Sequence, residues 1–420
     1  MGDTNGWAGK SIRFLCWSRA SLCLPRNLLC WSRALATQPL GHHGTQSVEV
    51  SHSSSFWATV NDFLQSADSR AARCFRQTQW DQLCIIASKA NRWLECVALD
   101  RVTSGFNNVV RLLEFSDRSR WAARVQIKNT SNAELEAKVA TMQYIKEHSE
   151  LAVPRVFAYT LDENNPAAVA YMLIEVLRGI VAMDALGGYD VHRGVIPTQY
   201  RPQFYRSVAA CHVQITSLRL PKIGTIARNR DGAYELGPLP GTGGPFNTAV
   251  ATMQGGPIPA DRMISIINQF PSQVKAMSSR LSASNNGPFP LCHDDFLHSN
   301  IMVDENNFNV TGIIDWEGAC TVPWELVAFP EFLQAMPVSF DLLQNYDSDG
   351  QPLDEDERQT WRERQEYIEM VRSAELEDHL LSTCLGSNRS QALAYAYGAF
   401  TSTGKLGFYD RVVEEVERET

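Results

Sequence analysis

His293-Asp294-Asp295-Phe296-Leu297-His298-Ser299-Asn300, followed fifteen residues after Asn300 by Asp315 within Gly312-Ile313-Ile314-Asp315-Trp316-Glu317, is the stretch that decides how this chain is read. Phosphoryl transfer needs one carboxylate beside the attacking hydroxyl, plus an Asn and a second Asp to hold the magnesium ions that neutralise phosphate charge. His-x-Asp-x-x-x-x-Asn, then an apolar strand ending in Asp, supplies these groups in order. Ile301-Met302-Val303 is a short apolar run, Asp304-Glu305-Asn306-Asn307 is turn material, and Phe308 to Ile314 is again apolar and β-branched. The segment therefore reads as a hairpin that returns Asn300 and Asp315 to the same end. A polar capping loop around a core histidine would present similar letters, without needing Asp at a strand end.

Upstream, Cys96 to Val102 and Val109 to Phe115 are strand-like runs around Thr103-Ser104-Gly105-Phe106-Asn107-Asn108. Such a loop, through Gly105, Asn107 and Asn108, could cover nucleotide phosphates with backbone N–H groups, although an ordinary hairpin would look the same. The turn Ser116 to Ser119 leads into a third strand, Trp121 to Ile127, carrying Arg124 where a phosphate-pairing lysine would be expected. Residues 132 to 147 have helical spacing through Leu135, Val139, Met142 and Ile145. Glu134 or Glu136 on that helix is placed to pair with Arg124, whereas Lys138 would repel it. Val153 to Leu161 and Ala168 to Leu177 complete five strands, and Arg178-Gly179 marks a hinge. Adenine would use backbone groups from Glu175 to Leu177.

The second half reads as helical. Phe204, Val208, Cys211, Ile215 and Leu218 form one apolar stripe, with His212 beside it in a structural position. Residues 240 to 257 are glycine-rich but lack Gly-Lys-Ser/Thr, so they are not a phosphate-binding loop. Asn345 to Asp356 begins like a calcium loop but carries Asn at its first position and Pro352 at its eighth. Between Asp341 and Asp378 lie thirteen acids and four arginines, either a solvated helical face or the rim of a pocket for a cationic substrate.

Composition sets outer bounds. With 420 residues, 44% of them hydrophobic, the chain has material for a bilobal unit with extensions. A net charge of -9 argues against a nucleic-acid partner, and no apolar run reaches the length of a membrane span. The ten cysteines make no Cys-x-x-Cys pair, so reduced thiols are expected, with Cys292 serving core packing. Residues 15 to 35 are three tandem heptapeptides beginning Leu-Cys, and Asp3 is the sole acid before Glu49. This is the composition of a mitochondrial transit peptide or of a low-complexity extension. Location stays open between cytoplasm and mitochondrion, and oligomeric state is not specified. The adjacent His42 and His43 lack ligand spacing, and Ser51 to Ser55 reads as linker.

Taken together, these residues resemble the aminoglycoside phosphotransferase and choline kinase-like family, especially its fungal branch. The matching pieces are the His293–Asn300 and Ile314–Glu317 motifs, Gly105 to Asn108, Trp121 to Val125, Val139 to Met142, Val153 to Val156, Tyr171 to Glu175, and Pro323 to Leu326 with Phe329-Pro330. The likeness runs from about residue 80 to 400. It implies an α+β, protein-kinase-like bilobal fold with a five-stranded antiparallel N-lobe and a mainly helical C-lobe. It also implies ATP- and Mg2+-dependent phosphorylation of a small-molecule hydroxyl. Asp295 would be the catalytic base, Asn300 and Asp315 the metal ligands, and Gly105, Asn107, Asn108, Arg124 and Glu175 the nucleotide contacts. Lys138 stands where many relatives carry a glutamate that orients the phosphate-binding cation. The expected layout is an extension (1–55), a helical lead-in (56–95), the N-lobe (96–178), the C-lobe (179–400) with its catalytic segment at 291–317, and a tail (401–420). The alternative is a nucleotide-binding pseudoenzyme with a regulatory or mitochondrial maintenance role.

Overall fold

The computed structural model describes residues 57–105, 107–127, 132–187, 191, 195–229, 231–239, 243–249, 270–276, 282, 284–403 and 408–418. The heptapeptides, His42, His43, Ser51 to Ser55, Phe106 and much of the 240–257 glycine run lie outside them.

Three short helices open the described chain: α1 (Val60–Ser66), α2 (Ser69–Gln77) and α3 (Trp80–Ala90). The helical lead-in read over 56–95 does not single out α2 as a helix of its own. Its start is nevertheless written locally, because the Asp68 carboxylate accepts from the N–H groups of Arg70 and Ala71 as an N-cap. The strands β1 (Cys96–Ser104), β2 (Asn108–Phe115) and β3 (Arg120–Gln126) follow. Next come α4 (Asn132–His148), β4 (Val156–Thr160) and β5 (Tyr171–Glu175). All neighbours in the resulting five-stranded sheet, ordered β1-β2-β3-β5-β4, are antiparallel.

Strand alternation divides this sheet into two faces. Val109, Leu113, Trp121, Ala123, Val125 and Leu173 pack against α1 to α3 in one cluster. Leu112, Ala122, Met172 and Ile174 join α4 and the second half of the chain in another. Arg124 shares the parity of Ala122, so it lies on the α4 side. Trp121 stacks on Phe157 at a 3.9 Å centroid distance and meets Phe115 edge-on at 4.7 Å. Truncating such a buried aromatic to Ala costs about 3–5 kcal/mol.

Past β5 the chain turns at Gly179, where φ is +98° and an added Cβ would lie 2.3 Å from the Val303 carbonyl oxygen. Only glycine fits that turn. The short strand β6 (Ile180–Val181) then precedes α5 (Arg201–Ser217). Phe204, Val208 and Ile215 of the expected stripe are buried, and Cys211 is partly so. The strands β7 (Arg219–Leu220), β8 (Thr225–Arg228), β9 (Tyr234–Gly237) and β10 (Phe289–Cys292) are followed by β11 (Ile301–Val303), β12 (Val310–Ile313) and β13 (Cys320–Thr321). The chain continues through α6 (Glu355–Ala374), α7 (Leu380–Gly386), α8 (Asn388–Thr403) and α9 (Tyr409–Arg418). The segment read as a tail therefore holds a helix, and its Tyr409, Val412, Val413 and Val416 are buried against α8 and Phe340.

The acidic region resolves largely into α6, which packs on α5. Its buried Glu363 accepts from Tyr205 Oη at 2.6 Å and pairs with Arg201, while its other acids mostly face outward. Within the calcium-like stretch, Asp347 closes a turn by accepting from the N–H groups of Asp349 and Gln351. His212 is buried with Nδ1 3.2 Å from Tyr367 Oη, and burial pushes its pKa down to about 3. It is structural, as expected. The described cysteines are free thiols, and no helix among the described residues is long and apolar enough to cross a membrane.

Candidate active site

The His293–Asn300 stretch leaves β10, which is held between β13 and β7. His293 follows at once and is buried. Its Nε2 lies 3.0 Å from the Ile314 carbonyl, and its Nδ1 accepts from the Asp295 N–H at 3.3 Å. Those partners select the tautomer with the proton on Nε2. Burial pushes its pKa down to about 4, only partly opposed by the Ile314 hydrogen bond, so the ring is neutral near pH 7. One imidazole thus ties the loop carrying Asp295 to the residue preceding Asp315.

Asn300 closes that loop from its other end. Its Nδ2 donates to the Asp295 carbonyl at 2.9 Å and to Asp295 Oδ2 at 2.8 Å. With the amide nitrogen so used, Oδ1 is the Asn300 atom left for a cation. β11 starts immediately afterwards and pairs antiparallel with β12, matching Ile301 to Ile313. The Ile314 N–H then donates to the Asn300 carbonyl at 3.0 Å. The expected hairpin is present, and it brings Asn300 and Asp315 to one end. β12 begins later than the sequence suggested because Phe308, with φ of +56°, is still in the turn.

Asp315 itself has φ of +61°, unusual for a residue with a side chain. Three residues on, Gly318 has φ of +77°, and a Cβ there would meet Asp294 Oδ2 at 2.8 Å. The backbone is sharply bent on leaving β12, and the turn directs Asp315 and Glu317 toward the sheet and α4.

There they meet two cations. Arg124 Nη2 lies 3.0 Å from Asp315 Oδ1, and Lys138 Nζ lies 2.8 Å from the same oxygen. Lys138 also reaches Glu317 Oε2 at 3.2 Å, and Asn107 Nδ2 donates to Glu317 Oε1 at 2.7 Å. Burial alone would raise the Asp315 pKa, but the Lys138 and Arg124 charges and hydrogen bonds more than reverse this and hold the carboxyl well below its ordinary range. The Asp315 side chain nonetheless keeps 35% of its surface exposed, whereas that of Lys138 keeps 4%. Solvent thus screens the carboxylate far more than the ammonium.

For Glu136, the expected pairing of Arg124 with a helix glutamate is corrected by this geometry, in which Asp315 takes the arginine. Glu136 lies on the exposed face of α4, and the Glu134 side chain is outside the described residues. Lys138 does not drive Arg124 away, because a carboxylate stands between them. Glu317 and Lys138 are the members of the cluster to which sequence reading gave no binding role. The signal for Lys138 was its place on the apolar side of α4, one residue before buried Val139.

The remaining expected residues are distributed differently. The Gly105 N–H donates to the Asn108 carbonyl, and the Asn107 carbonyl accepts from the Ile127 N–H, which fixes the β1–β2 loop at its base. Asn108 starts β2 opposite Gln126. Glu175 makes no contact with the cluster: its N–H donates to the Arg155 carbonyl, and its Oε2 accepts from the Arg155 N–H at 3.1 Å.

This arrangement has a counterpart among known sequences. The model of the phosphotransferase enzyme family matches residues 99–324, more than half of the chain. The chain belongs to that family. The match spans β1 to the residues just past β13, including every side chain of the cluster and the His293–Asn300 loop. A small-molecule kinase acting on hydroxyl groups follows from that membership.

No curated protein sequence matches the chain. Among solved structures, it is similar to a macrolide 2′-phosphotransferase from Brachybacterium faecium, at 11% identity over 80% of this chain and 96% of that one, with a TM-score of 0.40. An aminoglycoside phosphotransferase from Streptomyces rimosus has 14% identity over 75% and 99%, with a TM-score of 0.37. An ethanolamine kinase from Plasmodium vivax has 13% identity over 77% and 81%, with a TM-score of 0.39.

Proposed function

We propose that this protein transfers the γ-phosphoryl group of ATP to a hydroxyl of a small molecule, with Asp295 as base and with Asn300 and Asp315 as the magnesium ligands. The single observation that carries this reading is the hydrogen-bonded chain from Asp295 through Asn300 to Ile314, which joins the proposed base to one proposed metal ligand and to the residue before the other. Asp315 carboxylate and Asn300 amide oxygens are hard donors of the kind magnesium takes, with water and phosphate oxygens completing its shell. Bound there, the ion would neutralise charge on the phosphates.

The protein's own part is to orient and to move one proton. The acceptor hydroxyl gives its proton to the Asp295 carboxylate as its oxygen bonds to the γ-phosphorus, and the bond to the ADP oxygen breaks. Asn300 holds Oδ2 of Asp295 and so orients the carboxylate. A role for Arg124 as phosphate ligand is supported by its Nε, a donor buried without a hydrogen-bond partner among the described residues. Gly105, Asn107 and Asn108 would cover the phosphates, and backbone groups from Glu175 to Leu177 would meet adenine. Residues 96–178 and 179–400 would serve as the two lobes that enclose the nucleotide.

The test is ADP release by the purified chain, given ATP, Mg2+ and a broad panel of hydroxyl compounds. Turnover is expected with at least one of them. Asp295→Asn should lower it by about 10²–10⁴-fold while ADP affinity stays within about threefold. Equal loss of binding and turnover would remove Asp295 from its role.

One observation favours a second reading, nucleotide binding without turnover. Asp315 is already paired with two cations, and a metal must compete with both. A thermal shift with ATP and Mg2+ but no ADP release across the whole panel would select that reading.

A further inference from the structure

Resting on the nucleotide-binding reading above, we infer that Lys138 is a second phosphate-binding cation and that Glu317, held by Asn107, is the counter-ion that stores it. Asp315, Glu317, Arg124 and Lys138 form a closed group of two anions and two cations within 2.8–3.2 Å contacts. A lysine whose side chain is 4% exposed requires a counter-charge, and here it has two. Glu317 does not belong to Lys138 alone. Its other oxygen accepts from the Asn107 amide, which the β1–β2 loop carries and the Ile127 N–H pins at the backbone.

The geometry makes the group an exchange device. An anionic phosphate chain brings charge that can replace both carboxylates as partner for Arg124 and Lys138, and the unpartnered Arg124 Nε adds a further donor for it. As the cations turn to phosphate, Asp315 and Glu317 lose their counter-charges and become free to attract a divalent ion. Nucleotide and metal therefore assist one another, a coupling that is reciprocal by linkage. In the nucleotide-free protein, the same cations hold the metal off. Lys138 acts here as a positioning residue for Asp315 and Glu317 and as a direct phosphate contact.

Changing the charge balance by one unit in either direction tests this, because the two ligands must respond with opposite signs. Calorimetric titrations would use ADP without metal and Mg2+ without nucleotide, alongside ADP with Mg2+. In Lys138→Met, metal-free ADP affinity should fall by about tenfold or more, the loss of one charge-assisted contact, while Mg2+ alone binds more tightly. Glu317→Gln should do the reverse: metal-free ADP tightens and Mg2+ alone weakens. Lys138→Arg should keep most of the metal-free ADP affinity.

A purely structural Lys138 would lower both affinities together, in step with the melting temperature, and that outcome overturns the inference. So does a Glu317→Gln variant with unchanged metal-free ADP binding, which needs no folded Lys138→Met protein to be informative. Wild-type protein that binds ADP with Mg2+ but shows none of these opposed shifts leaves the nucleotide site standing and refutes the exchange. Wild-type protein that binds no ADP under any condition refutes both.

Discussion

Replacing His293 by Phe is expected to uncouple the two halves of the site while preserving the packing around them. The imidazole bridges the Asp295 N–H and the Ile314 carbonyl, and its ring lies 4.6 Å from that of Trp316. Phenylalanine keeps the apolar contact with Trp316 and Phe296 but deletes both hydrogen bonds. Each buried partner left unsatisfied costs about 1–3 kcal/mol. The 3.3 Å bond from Asp295 belongs near the low end, so the two together give about 2–4 kcal/mol. Guanidinium denaturation reads this as a lower midpoint with an unchanged slope. His293→Gln, which can keep a donor for Ile314, should recover about half of the loss. Catalysis should suffer separately, because a shift of the proposed base, Asp295, by about 1 Å costs about 10²-fold. With saturating substrate, kcat should fall while ADP affinity changes little. If His293→Phe loses the full stability but keeps kcat within about threefold, the ring is ordinary core and the bridging argument fails.

The other predictions are simpler. Gly318→Ala must place a side chain at φ of +77° and 2.8 Å from Asp294 Oδ2, and a loss of about 2 kcal/mol or more is expected in the same denaturation assay. An unchanged midpoint would show that the turn relaxes without cost. His212 has a folded pKa of about 3, below its ordinary 6.5, so the unfolded chain binds the extra proton between those values. Its stabilising contribution is complete above pH 6.5 and is lost as pH falls toward 3, at about 1.4 kcal/mol per pH unit at most. Wild-type and His212→Gln should therefore converge in stability on acidification; parallel curves would contradict this. Tyr205→Phe removes the O–H donor to buried Glu363 and should cost about 1–2 kcal/mol, measured by thermal melting.

Much of this molecule is legible in its sequence because its key relations are local. Asp295 and Asn300 are five residues apart and bonded to each other, and the hairpin joining Asn300 to Asp315 is spelled by two apolar runs around a polar turn. The five strands are legible for the same reason, with alternation and turn residues marking them. What sequence reasoning misplaced depends on distant pairings. Arg124 and Lys138 look mutually repulsive along the chain, and only the fold inserts Asp315, from 177 residues beyond Lys138, between them. Glu317 carries no local sign that Asn107, 210 residues earlier, will hold it. Helix α2 is not singled out within the helical lead-in although Asp68 caps it, because Arg70, Arg73 and Arg76 interrupt the apolar pattern. The buried side of α9 was likewise discounted, since Val412, Val413 and Val416 acquire their meaning from Phe340 and α8.

The hairpin of β11 and β12 has a mechanical consequence. It pairs with β6 just beyond Gly179, its Thr311 hydroxyl donates to the Arg178 carbonyl, and its Ile313 N–H reaches across to the Ala152 carbonyl below the sheet. Gly312 faces Leu177 so closely that a Cβ would fall 2.5 Å from the leucine side chain. The connector between the sheet and the helices is thus splinted by the very element that carries Asn300 and Asp315. A joint splinted on both sides does not swing wide like a jaw. From the other side, Asn107 ties the β1–β2 loop to the same turn through its bond to Glu317.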